Sequence, residues 1–244
     1  MFKELIVNKK AVFFDLDGTI IESEPVWDRA FEKVFENLGE VWLEEYQVPR
    51  GTTVKNKWTA LLDAGTINPK IAVDELVKQV TNEYLQIIYK EGLEARDGFW
   101  ELVYELKITR NLPLALTTNT SREIASQVLK ILGINKTFDF TICGDEVKKV
   151  KPDPEMYLMA AKALKVRPKD TLVFEDSLTG VKAALKSGAT VAVLWDGETE
   201  QTAYPQSITT FLPDFTYLIG NMDTTSKEDF EAYKVKVMAR GEKK

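Results

Sequence analysis

The run Phe13-Phe14-Asp15-Leu16-Asp17-Gly18-Thr19 carries two carboxylates, two residues apart, where an apolar stretch ends. Gly18 lets the chain turn sharply there. Asp17-Gly18 by itself reads as turn chemistry, but a turn gives no reason for Asp15 to interrupt the apolar run. Two more polar clusters follow apolar stretches: Leu114-Ala115-Leu116 runs into Thr117-Thr118-Asn119, and Val173-Phe174 into Glu175-Asp176-Ser177. Lys151-Pro152-Asp153-Pro154 sets a lysine before two prolines, and a residue before proline is biased to extended backbone, which aims its side chain. Each of Asn119, Thr120, Ser121, Asp176 and Ser177 could equally cap a following helix. Together, however, the clusters gather a hydroxyl, one lysine and at least three acids at the carboxyl ends of apolar strands. Converging carboxylates with a single lysine repel one another and are pushed toward the protonated form. A divalent cation removes that conflict, and an all-oxygen donor set selects Mg²⁺ over zinc or copper.

What the chain lacks narrows the chemistry further. Its 244 residues include no His and one Cys, Cys143. That excludes Ser-His-Asp and Cys-His catalysis within the chain, His-ligated zinc and His-based pH switching. It also excludes an internal disulfide and a Cys-rich metal cluster. The chemistry left rests on carboxylates, Lys, Arg, Thr, Ser, Asn and a bound cation. With 32 basic and 38 acidic residues the net charge is −6, which argues against a nucleic-acid partner. No apolar run approaches the ~20 residues of a membrane span, and Met1–Lys10 does not read as a signal peptide. A single cysteine fits a cytoplasmic location. Apolar content of 44% and charged content of 29% are ordinary for a globular chain, and this length buries a core without staples.

The elements that must position these residues are legible as patterns. Ala11–Asp17, Leu112–Thr118, Phe138–Cys143, Thr171–Asp176 and Thr190–Trp195 are short apolar runs of strand length. Continuous apolarity implies burial on both faces, as in a parallel sheet. Helical periodicity separates the later runs: Ser121–Leu132 puts Ile124, Val128, Leu129 and Leu132 on one face, with Gly133 as its stop. Pro154–Leu164 starts on a proline suited to a first turn, and Gly180–Lys186 is followed by Gly188. From residue 97 onward the alternation reads as a doubly wound α/β domain. Between Glu24 and Arg96 there is no strand run, only helical patterns over Val26–Leu38, Val54–Ala64 and Val73–Tyr89. The expected organisation is an α/β core of residues 1–23 and 97–244 with a helical insert, 24–96, over the carboxyl ends of the strands, where open α/β sheets bind ligands. Lys227–Lys244 reads as a surface helix with a frayed end.

The four motifs, in this order, resemble those of the haloacid dehalogenase (HAD) superfamily of phosphohydrolases. The insert resembles the small helical cap of the subgroup containing phosphoglycolate phosphatase, sugar-phosphate phosphatases and β-phosphoglucomutase. The likeness spans about residues 10 to 200 and implies a Rossmann-like core with a cap domain. It implies that Asp15 is the nucleophile, forming an aspartyl phosphate. Asp17 would be the general acid, then the base that activates water, with its backbone carbonyl on the metal. Thr118 would hold the phosphate with the Asn119 amide and Gly18, although the adjacent Thr117 leaves the register open by one. Lys151 would neutralise the phosphoryl oxygens. Asp176 would be an acidic Mg²⁺ ligand together with Asp15, and Glu175 an indirect or water-mediated one.

Substrate choice is expected in the cap. Arg50-Gly51-Thr52-Thr53 resembles the loop that faces the active site, and Glu22, Glu24 and Trp27 lie near the first hinge. Arg50 or Lys55 could hold a second anionic group, Trp58 could stack on a sugar or base, and Asp97-Gly98 marks the return hinge. The resemblance implies a monomeric Mg²⁺-dependent phosphatase for a small phosphorylated metabolite, a sugar phosphate or phosphoglycolate-like ester. A phosphomutase is the enzyme alternative. Mutases of the β-phosphoglucomutase type carry a His after the first motif, and Ile20–Trp27 has none. Phosphonoacetaldehyde-type hydrolysis would need a cap lysine such as Lys55 or Lys57. A receiver-like binding module is the non-enzyme alternative, against which the insert and Asp17 argue.

Overall fold

The computed structural model describes residues 2–43, 46, 50–65, 67, 70–219 and 232–235. Six parallel strands form one sheet in the order β3-β2-β1-β4-β5-β6. They are β1 (Ala11–Phe14), β2 (Leu114–Thr117), β3 (Phe140–Ile142), β4 (Thr171–Glu175), β5 (Thr190–Leu194) and β6 (Phe211–Leu212). The chain leaves β1, builds outward through β2 and β3, then crosses back to place β4 on the other side of β1. The strand order therefore reverses beside β1, the position where α/β sheets open a ligand crevice.

Alternation along the strands builds two cores. Val12, Phe14, Leu172, Phe174, Ala192 and Leu194 face one apolar cluster, while Ala11, Phe13, Val173, Val191 and Val193 face the other. The first face is covered by α5 (Phe99–Tyr104), which runs on as a π-helical turn over Glu105–Thr109, and by α6 (Arg122–Ile131). Phe14 anchors it, stacked on Phe174 at 5.1 Å between ring centroids and edge-on to Phe99 and Phe215. The second face is covered by α7 (Glu155–Ala163) and α8 (Leu178–Ser187). Gly133 follows α6 at φ 70°, as its position after the apolar stripe requires.

Between β1 and α5 lie α2 (Glu24–Leu38), α3 (Val54–Asp63) and α4 (Val73–Glu91), with no strand among the described residues of this stretch. α2 packs on α4 through Trp27 and Tyr84, whose rings stack at 3.8 Å and 6°. α3 joins them with Trp58, fully buried and stacked on Phe35. The apolar cluster of these helices is continuous with that on the first face of the sheet.

Two differences from the sequence expectations appear, and one expectation falls outside the described residues. β1 ends at Phe14, so Asp15 and Asp17 stand in the loop just beyond the strand rather than within it. A short α1 (Phe2–Ile6), the two-residue β6 and a short α9 (Thr216–Ile219) are additional. The C-terminal helix expected over Lys227–Lys244 falls outside the described residues, apart from a helical turn at 232–235.

Candidate active site

Three loops at the carboxyl ends of β1, β2 and β4 converge, and Lys151 joins them from the segment before α7. Lys151 is buried, and its Nζ donates to Asp15 Oδ1 at 2.5 Å, Glu175 Oε1 at 2.6 Å and the Thr117 carbonyl at 2.9 Å. Three acceptors match the three donors of an ammonium. Glu175 is the hub behind it. Its Oε1 also accepts from Tyr157 Oη at 2.8 Å, and its Oε2 accepts from the Asp176 and Ser177 amides and from Ser177 Oγ. Gly180 makes room for this: a Cβ there would lie 1.8 Å from Glu175 Oε1.

Asp15 keeps Oδ2 without a hydrogen-bond partner among the described residues, since its one bond is Oδ1 to Lys151. Asp176 is equally short of partners. It receives Thr19 Oγ1 at 3.4 Å and lies 3.9 Å from Arg50 Nη1. Burial is the main cause holding Asp15 well above the usual carboxylate range; Lys151 opposes it, and Glu175 and Asp17 reinforce it. Asp176 is pushed the same way, by burial first and then by Glu175 and Asp15. Burial alone would lower Lys151, but Asp15 and Glu175 outweigh it and keep the ammonium well above its ordinary range.

Asp15, Glu175 and Asp176 each bring an oxygen within 4.8 Å of the others. Two of the three are buried, under-bonded carboxylates, and all donors are oxygen. That set fits a hard divalent cation such as Mg²⁺. Glu175 joins it with both oxygens already engaged, consistent with the indirect part expected of it. The Asp17 carboxylate is not one of the three. Its oxygens accept from Ser23 Oγ and Thr120 Oγ1, each at 2.6 Å.

Of the two adjacent threonines, Thr118 lines the cavity with Asp15 and Thr117 does not. Thr117 Oγ1 turns back to the Phe14 carbonyl, while Thr118 Oγ1 accepts from the Thr120 amide and keeps its own proton to donate. Asn119 lines the cavity too, but its amide is a brace: Nδ2 donates to the Gly51 carbonyl at 2.9 Å and Oδ1 accepts from the Lys151 amide at 3.1 Å. Gly18 is placed for close approach rather than contact. Its N–H goes to the Ile21 carbonyl, its carbonyl to Arg96, and a Cβ at its φ of 79° would meet Asp176 Oδ2 at 2.0 Å. Gly18, expected at the phosphate, is not among the residues that line the cavity.

The cavity over Asp15 and Asp17 encloses about 350 Å³ and is walled by both the sheet loops and the inserted helices. Gly51 and Thr52 line it as expected. Arg50 does not. It pairs with Glu22 at 3.1 Å and Asp196 at 3.5 Å, so it ties the insert to the core instead of meeting substrate. Trp58 is core, not a stacking platform, because it is fully buried away from the cavity. Lys55 reaches the cavity but is exposed and paired with Asp74. The sequence reading missed Tyr157 and Gly180 behind Glu175, and Ser23 and Thr120 on Asp17. Serine in the stretch after the first motif was the one visible signal among them.

Comparison with known proteins follows the same residues. The haloacid dehalogenase-like hydrolase family matches residues 9–188. A phosphorylated carbohydrates phosphatase of Thermotoga maritima is 33% identical over 180 residues, covering 73% of this chain and 82% of that protein. Validoxylamine A 7'-phosphate phosphatase of Streptomyces hygroscopicus subsp. limoneus is 34% identical over 179 residues, covering 73% and 82%. Among solved structures, a CbbY mutant from Rhodobacter sphaeroides in complex with xylulose-(1,5)bisphosphate superposes with a TM-score of 0.75 at 25% identity, over 85% of this chain and 95% of that one.

Proposed function

This chain belongs to the haloacid dehalogenase-like hydrolase family, and we propose that it is a Mg²⁺-dependent phosphatase of small phosphomonoesters, sugar phosphates or phosphoglycolate-like esters. The observation that carries this reading is the floor of the cavity. There a carboxylate with one unpartnered oxygen, Asp15 Oδ2, sits beside a buried lysine, a hydroxyl that can still donate, and a second carboxylate. The named relatives act on phosphorylated carbohydrates and on validoxylamine A 7'-phosphate, which supports a phosphorylated small molecule as substrate here.

In the proposed sequence the substrate phosphate enters over Asp15 with the Thr118 hydroxyl on one of its oxygens. Asp15 Oδ2 attacks phosphorus, the phosphorus–oxygen ester bond breaks, and the leaving oxygen takes a proton from Asp17. Water then attacks phosphorus, Asp17 takes its proton, and the bond to Asp15 breaks to release inorganic phosphate. Splitting hydrolysis in this way replaces one hard displacement by two easier ones. Ser23 and Thr120 hold the Asp17 carboxylate where both proton transfers occur. Lys151 favours the ionised form of Asp15 against the effect of burial and, as charge spreads over the equatorial oxygens, offsets it from a fixed position. A Mg²⁺ held by Asp15, Asp176 and the Asp17 carbonyl, with Glu175 behind them, would add the remaining positive charge.

Residues 24–96 are read as a cap domain, with residues 1–23 and 97–244 as the catalytic core. Cap closure would exclude water from the ester, and the contacts of Arg50 and Gly51 with the core support that role. The proposal extends to a monomer acting in the cytoplasm with no nucleic-acid or membrane partner. Among the described residues no helix is long and apolar enough to cross a membrane. The mutase alternative is set aside because the chain has no His. The test is phosphate release from a panel of phosphomonoesters, with Mg²⁺ and with a chelator. Metal-dependent release is expected; no release from any ester by folded, Mg²⁺-loaded protein would refute the reading.

A further inference from the structure

We propose that Lys57, Glu24 and Thr81 read the end of the substrate remote from the transferred phosphate, and that this end is an uncharged polyhydroxyl chain, not a second anion. The inference rests on the phosphatase reading above and narrows its substrate class to sugar or polyol monophosphates. All three residues line the same cavity as Asp15 and Asp17, from the side of the inserted helices.

Lys57 is unusual for a helix lysine. It is only 6% exposed, and its ammonium lies 5.4 Å from the centre of the Phe31 ring. Its single hydrogen bond among the described residues is to Glu24 Oε2, and at 3.4 Å that bond is long. The other two N–H groups meet no acceptor among the described residues. The one hydrogen bond of the Glu24 carboxylate among the described residues is this one, through Oε2, and Thr81 Oγ1 is buried with no partner. Buried polar groups are nearly always hydrogen-bonded, and a buried ammonium with N–H groups left unmatched is costly. A cavity wall with unmatched donors and an unmatched acceptor is therefore completed by something that enters the cavity.

The chemistry of the wall selects the guest. A hydroxyl both accepts and donates, so neighbouring hydroxyls can take the free Lys57 N–H groups while donating to Glu24 Oε1. A carboxylate or a fully ionised phosphate has no proton to donate. It would also share Lys57 with a carboxylate that already neutralises it, and Asp17 and Asp28 add negative charge felt at Glu24, against which Arg50 acts. Trp27, Phe31 and Val77 supply apolar surface beside these groups, suited to the carbon faces of a sugar.

The test compares wild type, Lys57→Met and Thr81→Val on a pentose monophosphate, a hexose monophosphate, a hexose bisphosphate, phosphoglycolate and p-nitrophenyl phosphate. Wild type should favour the monophosphates over the bisphosphate and phosphoglycolate in kcat/KM. Lys57→Met should lower the ratio of kcat/KM for monophosphates over p-nitrophenyl phosphate by about tenfold to a hundredfold, the range for losing a hydrogen bond to a charged group. Thr81→Val keeps the side-chain shape and should lower the same ratio about threefold to tenfold, so it carries the test if Lys57→Met does not fold. Unchanged ratios, equal losses on all esters, or a wild-type preference for the bisphosphate or phosphoglycolate would overturn the inference while leaving the phosphatase reading standing. Release from no ester, p-nitrophenyl phosphate included, would overturn that reading and this inference with it.

Discussion

Glu175→Gln exchanges one oxygen for an NH₂ group, and the structure predicts that this near-isosteric change is severe. Glu175 Oε1 accepts from Lys151 and Tyr157, while Oε2 accepts from two backbone amides and the Ser177 hydroxyl. A glutamine has one acceptor oxygen. If that oxygen stays toward Lys151, the NH₂ faces the Asp176 and Ser177 amides, which then lose their acceptor; the Ser177 hydroxyl alone can rotate to accept. Two buried donors left unsatisfied cost about 1–3 kcal/mol each. Part is offset, because Glu175 is one of the charges pushing Asp15 and Asp176 upward, and removing it relieves both. A net loss of about 2–4 kcal/mol remains, which for a chain of this size lowers the thermal midpoint by about 5–15 °C. The assay is thermal unfolding followed by circular dichroism, in chelator, beside wild type. A midpoint within about 2 °C of wild type would refute the claim that Glu175 is the hub holding Lys151 and the β4 loop.

Metal and pH should be linked. Asp15 and Asp176 have folded-state pKa values above their unfolded ones, so in metal-free protein their favourable term is complete below the unfolded range near pH 4 and is lost as pH rises through the folded values. Mg²⁺ should therefore raise the thermal midpoint more at pH 8 than at pH 5, and an equal or reversed effect would count against these carboxylates as its ligands. Gly51→Ala puts a Cβ 2.5 Å from Thr179 Oγ1 at a φ of 78°; the strain, about 1–2 kcal/mol from backbone handedness alone, should unseat the loop and cut kcat/KM about tenfold or more, as steady-state kinetics would reveal. Burial pushes the Cys143 thiol up to about 12, so native protein should resist alkylation at pH 8 and be labelled only on unfolding, read by mass spectrometry.

Much of the core was legible because its signals are local. Five strands are short apolar runs, and their alternation onto two faces follows from strand geometry alone. The acids, hydroxyl and lysine were visible because each sits next to such a run. What escaped the sequence depends on distant partners. Lys57 and Glu24 are 33 residues apart, and nothing near either announces that one will be buried against the other. Arg50 and Trp58 had the right chemistry for substrate contact, yet Asp196 claims the first and the aromatic packing of Phe35 the second. The family resemblance implies a phosphate contact for the Asn119 amide; its use as a brace between Gly51 and Lys151 is a tertiary fact. Two-residue β6 is too short to carry a pattern.

The central claim is that Asp15 attacks phosphorus. The most direct measurement is acid-quenched turnover of a sugar monophosphate with Mg²⁺, comparing wild type with Asp15→Asn by peptide mass spectrometry and phosphate release. The account predicts a phosphoryl group on the peptide that contains Asp15 in wild type, and neither that adduct nor phosphate release in the variant. Continued phosphate release by Asp15→Asn, or a phosphoryl group found on another residue, would contradict it.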